Sequence, residues 1–192
     1  MRRAAAALLA LLAVAGCATR PPVPDAAGFS PPPEAWSLEG RLALSNGRDG
    51  GSGTLLWEHR PELSELSFVG AFGRGSWRLR VQTGLAELTL ADGQRYVAAD
   101  VNDLVARTTG WSIPVGALAY WVTGQPEPGQ DAGIQRGRDG KIDALRQHEW
   151  SVQFAGELAL ETKVLPRKIT ATKDGDRVRL VIRRWERLPA GA

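Results

Sequence analysis

Apolar and polar residues alternate along most of the chain from Trp36 onward. Trp36, Leu38, Gly40, Leu42 and Leu44 alternate with Ser37, Glu39, Arg41, Ala43 and Ser45. A period of two places the two sets on opposite faces of an extended strand, so this stretch predicts a strand with one apolar face. Asn46-Gly47 opens a Gly-rich hairpin loop running to Gly53, and Thr54 to Glu58 predicts a second strand with Leu55 and Trp57 on one face. Leu66 and Phe68 mark a third. The short connection Gly70-Ala71-Phe72-Gly73-Arg74-Gly75 leads to a fourth, in which Trp77, Leu79 and Val81 alternate with Ser76, Arg78, Arg80 and Gln82. Leu85 to Leu90, the turn Ala91-Asp92-Gly93 and a strand through Tyr96 complete an antiparallel meander with one apolar and one wet face.

The period changes between Asp100 and Gly124. Asp100 is placed to cap a helix carrying Val101, Leu104 and Val105, and Gly110 to end it. Pro114 suits the first turn of a second helix with Val115, Leu118, Ala119 and Val122 inward and Gly124 as its stop. A weaker strand pattern follows around Ile134 and from Ile142 to Arg146. It strengthens at Trp150, Val152 and Phe154, at Leu165 to Thr172, and at Arg177 to Trp185, with Lys173-Asp174-Gly175-Asp176 as a hairpin turn. The prediction is a mainly β domain of about eleven strands, with two short helices covering the open face of the sheet.

The residues before Trp36 follow other rules. Met1-Arg2-Arg3 is a positive start, Ala4 to Ala15 is an almost unbroken Ala/Leu/Val block, and Ala15-Gly16 supplies small residues before Cys17. This is the composition of a cleaved export leader, and the block is short of the roughly 20 residues that span a bilayer. Val14-Ala15-Gly16-Cys17 resembles the bacterial lipobox, in which the Cys becomes the acylated first residue of the mature chain; an ordinary leader that contains a Cys is the alternative. Cys17 is the only Cys, so it has no disulfide partner within the chain, and acylation gives it a use. The sorting rule of such lipoproteins implies the outer membrane, because Ala18 rather than Asp follows the Cys. Ala18 to Pro33, with its Pro-Pro-Val-Pro and Pro-Pro-Pro clusters, reads as a spacer. The expected organisation is therefore a leader over 1–16, an acylated Cys and Pro-rich tether over 17–35, and a folded domain over 36–192.

Charge narrows the function little. Without Arg2 and Arg3 the chain keeps 22 basic residues against 21 acidic ones, a balance that gives no concentrated basic stripe for nucleic acid. Signals for catalysis are poor. His59 and His148 stand in no metal-ligand spacing, no G-x-S-x-G elbow occurs, and the Gly47 to Gly53 run lacks the Lys-Ser/Thr of a phosphate loop. The carboxylates Glu58, Glu87 and Glu149 are scattered, so neither an enzyme nor a cofactor or metal is expected. Seven Trp against two Tyr and four Phe instead supply unusually large apolar side chains. A broad apolar face under two short helices leaves two readings: the side chains fill a solid core, or they line a cavity for an apolar ligand. Phe72, in a Gly-flanked turn, either folds back over the sheet or stands out as a contact tip.

Taken in order, these pieces resemble one family. Trp36 to Leu44, Leu56-Trp57, Gly70-Ala71-Phe72-Gly73, and Pro114-Val115 followed by Leu118 to Pro126 are similar to LolB, the outer-membrane lipoprotein receptor. So are Gln147 with Trp150 to Phe154, Leu165-Pro166, and Ile182 with Trp185. The resemblance implies an incomplete antiparallel β-barrel with a small helical lid over an apolar cavity. It implies a monomer, anchored by Cys17 on the periplasmic face of the outer membrane, that accepts lipoproteins from a LolA-type periplasmic carrier. Their acyl chains would occupy the cavity before insertion into the inner leaflet of the outer membrane. In the family the turn matching Gly70, Ala71, Phe72 and Gly73 carries a protruding Leu needed for membrane insertion, and Phe72 takes that position. The expected cavity wall is Trp36, Trp57, Phe68, Trp77, Leu79, Leu118, Trp121, Val122 and Trp150. A structural or assembly lipoprotein using Trp-rich faces for protein contacts is the alternative, and a periplasmic hydrolase a weaker one.

Overall fold

The computed structural model describes residues 33–71 and 75–189; the leader, Cys17, the tether up to residue 32, and Phe72 and Gly73 lie outside them. Eleven strands form one antiparallel sheet. They are β1 (Trp36–Ser45), β2 (Gly50–Arg60), β3 (Leu63–Gly70), β4 (Trp77–Gln82), β5 (Leu85–Leu90), β6 (Arg95–Ala98), β7 (Gly133–Arg136), β8 (Ile142–Gln147), β9 (Trp150–Leu160), β10 (Lys163–Lys173) and β11 (Asp176–Arg187). The spatial order is β6-β5-β4-β3-β2-β1-β11-β10-β9-β8-β7, so two meanders meet where β1 pairs with β11. β6 and β7 are the sheet's two edges and do not pair with each other, which leaves the barrel incomplete.

The alternation read in the sequence sets the inner face. Leu38, Leu42 and Leu44 of β1, Leu55 and Trp57 of β2, Leu66 and Phe68 of β3, and Leu79 of β4 are all buried on it. Val178, Leu180, Ile182 and Trp185 of β11 continue the same surface beyond β1. Two glycines let strands approach closely. A Cβ on Gly53 would stand 2.2 Å from the Val69 carbonyl oxygen and 2.7 Å from the Phe68 ring, so the bare backbone of β2 is what accommodates that ring. A Cβ on Gly40 would meet the Val181 carbonyl oxygen at 2.8 Å, beside the bulge between Glu39 and Gly40. The Gly50 to Gly53 segment, expected in the hairpin loop, is thus part of β2.

Helices α1 (Val101–Thr109) and α2 (Val115–Trp121) interrupt the two meanders. The Asp100 carboxylate accepts from the Asp103 amide at 2.7 Å, and Gly110, at φ 74°, donates its amide to the Ala106 carbonyl. Pro114 caps α2 without a side-chain hydrogen bond, and the helix stops at Trp121, a turn short of Gly124. Leu104 and Val105 of α1 and Val115, Ala117, Leu118 and Trp121 of α2 are buried in the same core as the inner face of the sheet. The two helices are its lid.

The lidded interior as a candidate functional site

Between lid and sheet lies a small void of about 20 Å³. Its walls are Leu42, Leu44, Leu55, Leu66, Leu79 and Leu88 from below and Val105, Trp111, Ile113, Val115 and Leu118 from above. Trp77 and Val178 close its sides, and Thr109 is the one polar side chain among its walls. A carbon lining such a void lacks contact partners on one side, so this part of the apolar interior is incompletely filled.

A hollow opens at each end of this void. One, of about 460 Å³, is lined by Trp36, Trp57, His59, Val81, Val101, Val115, Ala119 and Tyr120 together with the polar Glu34, Arg60, Glu62, Gln82, Thr83 and Glu127. The other, of about 730 Å³, is lined by Leu44, Gly50, Gly51, Ser52, Phe68, Gly70, Ala71, Trp77, Leu90 and Trp111. Val115 is shared by the first hollow and the void; Leu44, Trp77, Thr109 and Trp111 are shared by the void and the second. The void thus shares four wall residues with the second hollow and one with the first, whose lining also carries Glu34, Arg60, Glu62 and Gln82.

Aromatic packing shapes each mouth. Trp36 stacks on His59 at 5.0 Å between centroids, tilts against Trp57 at 5.4 Å and meets Trp185 edge-on at 5.1 Å. Ser64 Oγ lies 2.6 Å from His59 Nδ1 and accepts a 3.4 Å hydrogen bond from Trp57 Nε1. Burial in this setting lowers the His59 pKa below its ordinary 6.5 by disfavouring the imidazolium. The folded protein therefore takes up this proton at lower pH than the unfolded chain does. Stability contributed by neutral His59 is complete above pH 6.5 and declines as pH falls from there toward the folded-state pKa. Urea midpoints measured between pH 8 and pH 5 should fall on the acid side, and His59→Gln should flatten that fall. At the other mouth Phe68 and Trp77 stack at 5.4 Å with ring planes 19° apart.

The structure distributes the nine expected wall residues unevenly. Trp77, Leu79 and Leu118 line the void, Trp36 and Trp57 the first mouth, and Phe68 with Trp77 the second. Trp150 faces a separate hollow between the helices and the β8–β9 turn, with Ile113, Ala117, Glu127 and His148. Trp121 and Val122 are fully buried where α2 ends, outside all four hollows. Gly70 and Ala71 sit at the second mouth, where β3 ends. Gln147, which the sequence marks only as part of the family resemblance, fixes the end of the lid. Its carbonyl accepts from Trp121 Nε1 and the Glu127 amide, both at 2.9 Å, and its amide donates to the Glu127 carbonyl at 2.9 Å. A fourth, longer bond of 3.5 Å from its amide to the Gln130 carbonyl completes the bonding of a side chain only 3% exposed.

Comparison with known proteins bears on this arrangement. Residues 34–185 match the family described as outer membrane lipoprotein LolB. Outer-membrane lipoprotein LolB of Marinobacter nauticus is 32% identical over 97% of this chain and 98% of its own length. Its counterpart from Thiobacillus denitrificans is 31% identical over 98% of this chain and all of its own. Among solved structures, a LolA superfamily protein of Nitrosomonas europaea superposes with a TM-score of 0.57 at 6% identity, covering 83% of this chain and 89% of that one, which shows a shared fold.

Proposed function

The chain belongs to the LolB family of outer-membrane lipoproteins, and from that premise we propose how its half-barrel performs the family's work. It is a lipoprotein receptor in outer-membrane lipoprotein localization. The cargo's acyl chains occupy the apolar interior beneath α1 and α2, delivered there by a LolA-type periplasmic carrier. The observation that carries this reading is the apolar void under the lid, which shares wall residues with two open hollows.

The void as it stands is too small for its ligand. A cavity of roughly 150 Å³ is needed to hold benzene, against the 20 Å³ found here. Loading therefore moves the lid. Gln147 pins the end of α2, so the displacement falls on α1 and on the Trp111–Pro114 link, whose side chains Trp111 and Ile113 roof the void. Each methylene buried contributes about 0.8 kcal/mol, so a long acyl chain is held firmly once inside. Passage from one apolar pocket to another exposes little of that surface to water. Direction then follows from the affinities of carrier, receptor and bilayer alone, with no nucleotide and no catalytic step.

Residues 1–16 act as the leader, and acylated Cys17 holds the domain at the periplasmic face of the outer membrane. The anchor supplies location and the interior supplies binding. The mature chain with Cys17→Ala, which carries no acyl group, should take up one triacylated lipopeptide per protein as well as the acylated protein does. Isothermal titration or native mass spectrometry measures this. An unacylated chain that takes up none while the acylated chain does would make the anchor part of the binding site; absence of uptake by both would refute the receptor mechanism.

A further inference from the structure

Charge on the outer face of the sheet is divided along the strands. Strand register lines up its side chains in rows. The row nearest the β1–β2 and β10–β11 turns runs Arg146, Ser151, Thr172, Arg177, Ser45. The next runs Gln153, Thr170, Arg179, Ala43, Ser52, and the third Ala155, Lys168, Val181, Arg41, Thr54, Val69. These three rows hold five cations and no carboxylate. None of the five has an ion-pair partner among the described residues; Arg41 donates instead to Ser52 Oγ at 2.9 Å. Asp49, Asp174 and Asp176 lie beyond the rows, in or beside the turns, the last two next to Lys173, which is paired to Glu149.

The other half of the same face has the opposite pattern. Its carboxylates Glu39, Glu58, Glu65, Glu87 and Glu186 are each paired, to Arg184, Arg60, Arg80, Arg95 and Arg184 respectively. Intramolecular pairing thus matches these carboxylates in one half, where Arg78 and Arg183 also stand exposed, and leaves the three rows of the other with cations and no carboxylate. Two apolar side chains border the cationic rows on the outer face, Val69 at 52% and Leu56 at 47% exposure. Val69 is followed directly by Gly70 and Ala71 at the second mouth.

We propose that this cationic half of the outer face is a docking surface for anionic phospholipid and sets the orientation in which the half-barrel meets the membrane. The proposal rests on the receptor reading, in which the domain works at the outer membrane and its cargo passes to the bilayer. Cations spaced by small side chains (Ser45, Ala43, Ser52, Thr54, Thr170, Thr172) present a broad face open to phosphates, and exposed Val69 and Leu56 suit the layer just beneath them. The second mouth, lined by Leu44, Gly50 and Gly51, lies at the same end of β1 and β2 as the cationic rows. The chain from Cys17 to Trp36 reaches roughly 60 Å when extended, against about 33 Å for ten-residue β1. An anchor at the far end of β1 therefore permits this pose.

Cosedimentation tests it, using the mature Cys17→Ala chain and vesicles of phosphatidylethanolamine with one quarter phosphatidylglycerol, or of phosphatidylcholine alone. Each basic residue at an anionic surface strengthens partition about fivefold. Arg41→Glu with Arg179→Glu should lose about twentyfold or more on phosphatidylglycerol vesicles and little on phosphatidylcholine. Glu58→Gln with Glu65→Gln, in the paired half, should lose nothing. If the first double variant does not fold, Lys168→Gln with Arg177→Gln makes the same test. Undiminished phosphatidylglycerol binding by the cation variants would overturn the proposal. So would retained vesicle binding with lost capture of the carrier, which would make the face an acidic-protein dock. Lipopeptide uptake on the same samples separates the two claims: selective vesicle binding without uptake defeats the receptor mechanism and leaves the docking face, and uptake without selectivity defeats the docking face alone.

Discussion

Phe72→Glu is expected to take up acylated cargo at the level of the unaltered protein and to deliver almost none of it to membranes. On a transfer scale an aromatic side chain gains a few tenths of a kcal/mol at the bilayer interior and a carboxylate costs about 3 kcal/mol, so the exchange amounts to several-hundred-fold in membrane contact. Gly70 and Ala71, which precede this position, border the second mouth and not the void. Uptake and delivery should therefore separate. Phe72→Leu should deliver normally, because bulk and apolarity are retained. The measurement is recovery of labelled lipoprotein in floated vesicles after loading. Normal delivery by the Glu variant would remove Phe72 from the mechanism.

Leu79→Ala should show the second large effect, on stability. Leu79 is 1% exposed, pairs across the sheet with Leu66 and Leu88, and lines the void. Truncation removes buried methylenes and enlarges a space already present, at a cost of about 2–5 kcal/mol in urea unfolding. Leu56→Ala, two strands away on the outer face, should stay within about 0.5 kcal/mol. The enlarged void is apolar, so triacylated lipopeptide at about one hundred times its dissociation constant should restore roughly 2.7 kcal/mol. A loss below about 1 kcal/mol would mean that β4 is not packed as described; absence of rescue would mean that the ligand does not enter there.

Much of the architecture was legible in period alone. Alternation marked β1, β4 and β5 because each has one wet and one buried face, and the Asp100 and Gly110 caps bounded α1. Gly50 to Gly53 was read as loop, since local sequence favours a turn. It is strand because the Phe68 ring and β3 backbone need the space a side chain would fill. Residues Ala155 to Leu160 carried little alternation, and only pairing with β10 extends β9 over them. Period and turn signals gave about eleven strands and two covering helices, the family resemblance added the incomplete barrel and the receptor role, and the chain's membership in LolB agrees with that role.

The site was less legible. Large aromatic residues attracted attention, yet most of the void's wall is aliphatic: Leu42, Leu55, Leu66 and Leu88 look like any core residue until the lid is placed over them. Trp121 and Trp150, 6.4 Å apart, instead pack the end of α2 near Gln147. The Gln147 network joins residues twenty or more positions apart, and a lone Gln before a turn carries no local mark of it. The charge division of the outer face was invisible for a related reason. Counted along the chain the charges nearly balance; only register gathers the paired carboxylates in one half and leaves the three rows of the other with cations alone.

The central claim is that cargo acyl chains lie beneath the lid. A triacylated lipopeptide carrying a photoreactive group midway along one acyl chain, bound to the protein, irradiated and mapped by peptide mass spectrometry, tests it most directly. The account predicts adducts on the void's walls, among Leu42, Leu55, Trp77, Leu79 and Leu118. Adducts confined to the outer face, at Leu56 and Val69, would contradict it.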